Sequence, residues 1–411
     1  MTSKTLSNGL TLMAHQDNQL KNAVVNVLYK VGSVDEQPDN TGLAHFLEHM
    51  MFEGSENYED FDGTLQSLMG ENNAFTTQDY TCYYESFPTR YLSEILKIEA
   101  DRLSDLNLEK EKIGIQKKVI LEEFKETSLN PPLADAWHYL QDMCFKNSYG
   151  WPVIGKKLEH IKNLKDETVL DFYKKKYQPS NVIVSIVSEL EEDKMIEEAS
   201  AIFSKSKLDI TQPSVISFEE KDKTLGSKIL KRKNISSPHF FLALHIADYG
   251  TKDYFIADMV SDLLTNGESS LLYKKLITDL NLCSEINSYT TDNKSHNLLI
   301  IEGKLNPNMD FDSLYKSIDN CFQSIKLDGI SELKFETLIN KALTYWAFNN
   351  YNTTHFAQNM AVFKYCNHVE NPIDYINQVY DTIDKADIER FVSKFLSFEN
   401  FSKLEYIPVS P

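Results

Sequence analysis

Cysteine is scarce and scattered in this chain. Its five cysteines (Cys82, Cys144, Cys283, Cys321 and Cys366) lie far apart among 411 residues, and none forms a CxxC pair. That excludes a disulfide framework and a thiolate zinc site, and it predicts free thiols in a reducing compartment. No apolar run approaches the length of a membrane span, so no membrane association is expected. The opening run from Met1 to Leu10 holds no apolar signal core. A cytoplasmic location is therefore expected, or a periplasmic one had a targeting segment been removed. Positive charge is also in short supply: 42 Lys and Arg face 61 Asp and Glu, a net charge of −19. Phosphate recognition needs clustered basic residues, so a nucleic-acid partner is excluded. An acidic surface of this kind serves solubility and can steer basic substrates.

Apolar material is plentiful, at 42% of residues, and the length exceeds what one core organises. Strand patterns at Leu10–Ala14, Ala23–Gly32, Phe75–Phe87 and Val182–Val187 alternate with helical ones at Thr41–Phe52, Tyr91–Leu106, Glu109–Glu126, Ala134–Phe145 and Glu167–Tyr177. The second half repeats this order. Strand signals at Phe240–Ile246, Ile286–Tyr289 and Leu298–Gly303 are interleaved with helices at Tyr254–Leu264 and Ser270–Leu280, then helices run from Phe311 to Leu396 before a last short strand. Residues 205–227, with Pro213 and a charged run, read as a linker between 1–204 and 228–411. The stretch from Leu164 to Asn181 aligns without a gap to Ile383–Asn400, which points to an internal duplication. The expectation is an α+β protein of two homologous, α/β-sandwich-like halves, each an antiparallel-rich sheet packed with helices.

The segment that carries chemistry is His45-Phe-Leu-Glu48-His49. Residues four apart on a helix project from one face a turn apart, so two imidazoles can share one metal ion. Glu48 sits close enough to work on a water without being a ligand. This HxxEH order is the reverse of the HExxH zinc motif. Its neighbours Phe46, Leu47, Met50 and Met51 make the helix apolar, where unpartnered polar groups are costly. A catalytic zinc wants a third protein ligand and an open position. The helix Glu109–Glu126 offers Glu122 or Glu123, and spacing alone leaves both open. The other histidines show no ligand spacing.

The run from Thr41 to Ser55 resembles the signature of the insulinase/pitrilysin family of zinc metallopeptidases, the inverzincins. The resemblance continues through Asn73–Thr77, Val119–Glu123, Tyr149–Gly155, Tyr177–Asn181 and Gly267–Tyr273, so it spans both halves. The length is similar to the single-subunit branch that includes mitochondrial processing peptidase. The resemblance implies a zinc endopeptidase with one Zn2+ per chain, held by His45, His49 and Glu123, and with Glu48 as catalytic base. It also implies that Asn73 and Ala74 bind the backbone of a peptide held as an extended strand.

Two positions depart from the family pattern. Gln116 stands where the family usually has a second glutamate behind the ligands, so its tuning of the site carries no charge. Ile277 and Ser284 stand where members that complete their own site carry Arg and Tyr; neither can donate as those do. The expected assembly is a heterodimer in which a homologous subunit without zinc supplies Arg and Tyr. A homodimeric peptidase is the first alternative, and a structural subunit without chemistry is the second.

Overall fold

The computed structural model describes residues 1–205 and 223–409. Its strands are β1 (Thr2–Thr5), β2 (Thr11–Gln16), β3 (Asn22–Tyr29), β4 (Glu71–Thr76), β5 (Thr81–Pro88), β6 (Val182–Ser188), β7 (Ser227–Arg232), β8 (His239–Ile246), β9 (Cys283–Thr290), β10 (Asn297–Leu305) and β11 (Phe401–Pro408). The helices of the first half are α1 (Leu43–Met50), α2 (Phe61–Ser67), α3 (Leu92–Ser104), α4 (Lys110–Ser128), α5 (Ala136–Cys144), α6 (Leu158–Lys162), α7 (Asp166–Lys176) and α8 (Glu192–Phe203). Those of the second are α9 (Lys252–Thr265), α10 (Phe311–Asp328), α11 (Glu332–Tyr351), α12 (Thr353–Asn367), α13 (Pro372–Asp381) and α14 (Lys385–Phe395).

The chain forms two compact units. The first comprises Met1–Thr127, Trp151–Ser217 and Phe348–Ile373; the second comprises Ser128–Gly150, Phe218–Ala347 and Asp374–Pro411. Each unit thus draws a short piece from the other half of the sequence. Of the expected linker, 205–227, residues 206–222 lie outside the described residues, and Ser227 already opens β7.

In the first unit a six-stranded sheet runs in the order β1-β2-β6-β3-β5-β4, antiparallel except for the β2–β6 pair. Every residue of β6 is buried. A run of Val and Ile without alternation suits a strand covered on both faces. Val184 and Ile186 join the core shared with α1, α3 and α8. On the opposite face α12 packs against β3, β5 and β6, and the Ser185 hydroxyl donates to the Ala357 carbonyl at 2.6 Å. Each fully buried Val or Ile contributes roughly 1.5–3 kcal/mol relative to exposure.

The second unit carries a five-stranded sheet in the order β7-β11-β8-β10-β9, with β7–β11 its parallel pair. Apart from β1, this repeats the first sheet strand for strand. The duplicated stretch is the clearest witness. One constant offset carries α7 (Asp166–Lys176) onto α14 (Lys385–Phe395), and the turn Pro179–Asn181 onto Phe398–Asn400. It also carries one hydrogen bond onto another: Asn181 Nδ2 donates to the Lys176 carbonyl at 2.8 Å, and Asn400 Nδ2 to the Phe395 carbonyl at 3.0 Å. The two halves are homologous α+β units, as expected.

Local differences from the sequence reading are few. The single strand expected over Phe75–Phe87 is a hairpin, β4 and β5, closed by Thr77, whose hydroxyl donates to the Tyr80 carbonyl and accepts from the Asp79 and Tyr80 amides. A threonine turn of this kind lacks the Gly or Asn-Gly signal that marks most hairpins. Strands β1 and β7 and helices α2, α6 and α8 have no counterpart in the sequence reading. The helix expected over Ser270–Leu280 is widened to π geometry at Tyr273–Asp279.

Candidate metal centre and its surroundings

Helix α1 begins where a glycine is required. Gly42 has φ of 90°, and a Cβ there would meet Ile161 Cδ1 at 2.5 Å. Its first amides are satisfied from a distance rather than by a local cap. Glu36 Oε2 accepts from the Gly42 amide and Oε1 from the Ala44 amide, each at 2.8 Å. Burial pushes the Glu36 carboxyl well above its ordinary range, against the pull of those amides. Leu43, Ala44, Phe46, Leu47 and Met50 anchor the helix in the core. That leaves His45 and His49 on the other side, with side chains 13% and 24% exposed.

The three acid–imidazole groups expected to hold metal converge. Glu123 on α4 brings Oε1 to 3.7 Å from His45 Nε2 and Oε2 to 3.4 Å from His49 Nε2. All three donor atoms lie within 4.8 Å of one another. Tetrahedral ligands about 2.1 Å from zinc stand about 3.4 Å apart, so the set fits that ion with little movement. Glu122 faces away and pairs with Lys125 at 2.6 Å. Adjacent helix positions differ by about 100° in direction, so geometry alone separates the two glutamates.

The electrostatics suit a cation. Burial, then the neighbouring His49, lowers the His45 pKa from 6.5 to about 4, so its ring is neutral. For His49, burial pulls the pKa down but the Glu123 carboxylate outweighs it, and the net shift is upward. The same hydrogen bond from His49 lowers Glu123. His49 Nδ1 is held by Gln116 Oε1 at 3.2 Å; His45 Nδ1 is buried without a partner.

Glu48 is almost buried, and burial raises its pKa while a bond from Thr76 opposes the rise. Thr76 was not singled out from the sequence, although it lies inside the Asn73–Thr77 block. Asn73 and Ala74 lie on β4, the edge strand of this sheet, paired with Tyr84 and Tyr83 of β5. The Asn73 side chain accepts from the Ala74 amide at 2.8 Å.

The second unit repeats the frame without the donors. Thr290, the last residue of its edge strand β9, donates to Asp258 Oδ1 on α9 at 3.0 Å. Asp258 therefore occupies the position that Glu48 holds in the first unit. Where His45 and His49 flank Glu48, the buried apolar residues Phe255 and Met259 flank Asp258. Ile277 falls within the π-helical stretch, and Ser284 is on β9, its hydroxyl 3.5 Å from the Lys304 carbonyl. Among the described residues no helix is long and apolar enough to cross a membrane.

Among the described residues of this duplicated α+β fold, one cluster of two imidazoles and a carboxylate has the arrangement that could hold a metal ion. Residues 12–157 match the family described as Insulinase (Peptidase family M16), and residues 163–342 match the Peptidase M16 inactive domain. The chain belongs to the insulinase family of peptidases. The whole donor cluster falls in the first match. The zinc protease PqqE of Helicobacter pylori is 25% identical over 399 residues, covering 96% of this chain and 89% of that protein. A probable mitochondrial-processing peptidase subunit beta of Arabidopsis thaliana is 24% identical over 231 residues, 55% of this chain and 43% of that one. The crystal structure of a protease from Helicobacter pylori superposes with a TM-score of 0.89 at 23% identity, covering 99% of both chains.

Proposed function

We propose that this chain is a zinc-dependent endopeptidase with one ion held by His45, His49 and Glu123. The convergence of those three donor groups within 4.8 Å carries the reading, and the name of the Helicobacter pylori relative, a zinc protease, agrees with it. Zinc, when bound, polarises the scissile carbonyl and lowers the pKa of an attacking water. Glu48, next to the ligands on α1, takes a proton from that water and returns it to the leaving amine. Thr76 holds the Glu48 carboxylate in line. A peptide lies along β4 as an added strand, its backbone bonded by Asn73 and Ala74, so extended segments are the substrate class.

The full site includes donors from a related subunit. Ile277 has no polar donor and Ser284 only a short neutral hydroxyl, so neither replaces an Arg or a Tyr, and the Arabidopsis relative is itself named a subunit. A homologue that co-purifies with this chain and restores cleavage supports the heterodimer; full activity of the purified chain alone supports a homodimer. The test of the chemistry is Glu48→Gln, assayed on a quenched-fluorescence peptide. It is expected to retain zinc and lose hydrolysis, and full activity would overturn the assignment.

A further inference from the structure

Behind the proposed ligands runs a hydrogen-bond chain that ends on a residue outside the motif. His49 Nδ1 donates to Gln116 Oε1 at 3.2 Å, and Gln116 Nε2 donates to Glu53 Oε1 at 2.5 Å. An amide bonded at both ends has a fixed sense: its nitrogen is held by the carboxylate, so its oxygen must face the imidazole. An oxygen there accepts only from an Nδ1–H, so Nε2, which faces Glu123, is the ring nitrogen left to bind a metal once its own proton is displaced. Released from Glu53, the amide can turn over. Its NH2 would then face His49 and favour the tautomer with the proton on Nε2, which cannot bind the metal through that nitrogen.

Glu53 is itself firmly seated. Its amide bonds the Met50 carbonyl at 3.1 Å in the turn that ends α1, and Lys112 Nζ bonds its carbonyl. Lys112 and Gln116 are one turn apart on α4, so a single helix face grips both the backbone and the side chain of Glu53. Arg102 Nη1 holds the Met51 carbonyl nearby at 3.3 Å. The next residue, Gly54, has φ of 91°, and a Cβ on it would lie 2.3 Å from the Glu59 carbonyl, so the path of this turn is set.

We infer that Glu53 is a positioning residue of the metal site, acting through Gln116 to hold His49 in its metal-binding tautomer. The inference rests on the zinc reading above. It also accounts for the departure at position 116: the carboxylate that the resemblance puts there stands one hydrogen bond further out, on Glu53.

The test is a double-mutant cycle on zinc affinity, measured by competition with a chromophoric chelator, with thermal melting of the metal-free proteins as a control. Outer partners of ligating histidines typically carry about 10–100-fold in metal affinity, so Glu53→Ala is expected to weaken binding about tenfold. In a Gln116→Ala background the same change should have no further effect. Gln116→Glu should restore affinity to the Glu53→Ala protein by putting a carboxylate directly on His49. If Glu53→Ala does not fold, the near-isosteric Glu53→Gln should lose affinity several-fold, and only while Gln116 is present. Unchanged affinity in the position 53 variant, or an equal loss with and without Gln116, overturns the relay. A parent protein that takes up no zinc overturns the site reading itself, whereas a zinc-binding parent with an unaffected Glu53→Ala variant overturns the relay alone.

Discussion

Thr76 Oγ1 donates to Glu48 Oε2 at 2.5 Å, joining the end of the edge strand to the proposed catalytic carboxylate. Because the same strand is the proposed peptide-binding edge, the bond ties the base to the surface on which a substrate would lie. Thr76→Val keeps the shape and removes the donor. It should lower kcat roughly tenfold to a hundredfold while leaving zinc content and KM nearly unchanged, since small misplacements of a catalytic group cost rates of that order. Steady-state kinetics on one peptide decides this, and an unaltered kcat would remove Thr76 from the mechanism.

The counterpart bond in the second unit gives a prediction about stability. Burial, and then Asp262, raises Asp258 from 3.8 to about 6. The folded protein keeps that proton to higher pH than the unfolded chain does. Between those two values, rising pH therefore favours unfolding. A shift of this size corresponds to about 3 kcal/mol at neutral pH. Asp258→Asn retains an acceptor for Thr290 without the charge. Its melting temperature relative to the parent should climb between pH 4 and pH 7; a difference that stays flat with pH would contradict the account.

A buried ion cluster in the first unit makes a third. Arg102 is fully buried, with Nη2 2.6 Å from Glu99 Oε1 and 3.4 Å from Glu85 Oε1, and it lies over the rings of Phe61 and Tyr83. Removing one partner from such a cluster strands a charge, so Arg102→Ala should cost about 3–5 kcal/mol. Burial, and then Glu99, pushes the Glu85 carboxyl well up, toward its protonated form. Glu85→Gln should therefore be close to neutral in chemical denaturation at pH 7. A loss as large as that of Arg102→Ala would show that Glu85 is ionised.

How much of this was legible beforehand depends on whether the signal is local. The HxxEH spacing announces itself, because two imidazoles four residues apart need only a helix to meet. The repeat of α7 in α14 was legible for the same reason: its helix, turn and Asn cap are contiguous. Glu123 was not separable from Glu122 by composition, since the choice depends on the rotation of α4 against α1. Glu53, Thr76 and Glu36 act through partners 63, 28 and 8 residues away, and no local pattern marks them. The placement of α12 against the first sheet was equally hidden. An amphipathic helix shows which side it buries, not which sheet will receive it.

The most direct test of the central claim is anomalous diffraction at the zinc edge from crystals of the zinc-loaded Glu48→Gln protein. The account predicts one peak per chain, within about 2.2 Å of His45 Nε2, His49 Nε2 and a Glu123 carboxylate oxygen. A peak elsewhere, or none in a protein that is folded and exposed to zinc, would contradict it.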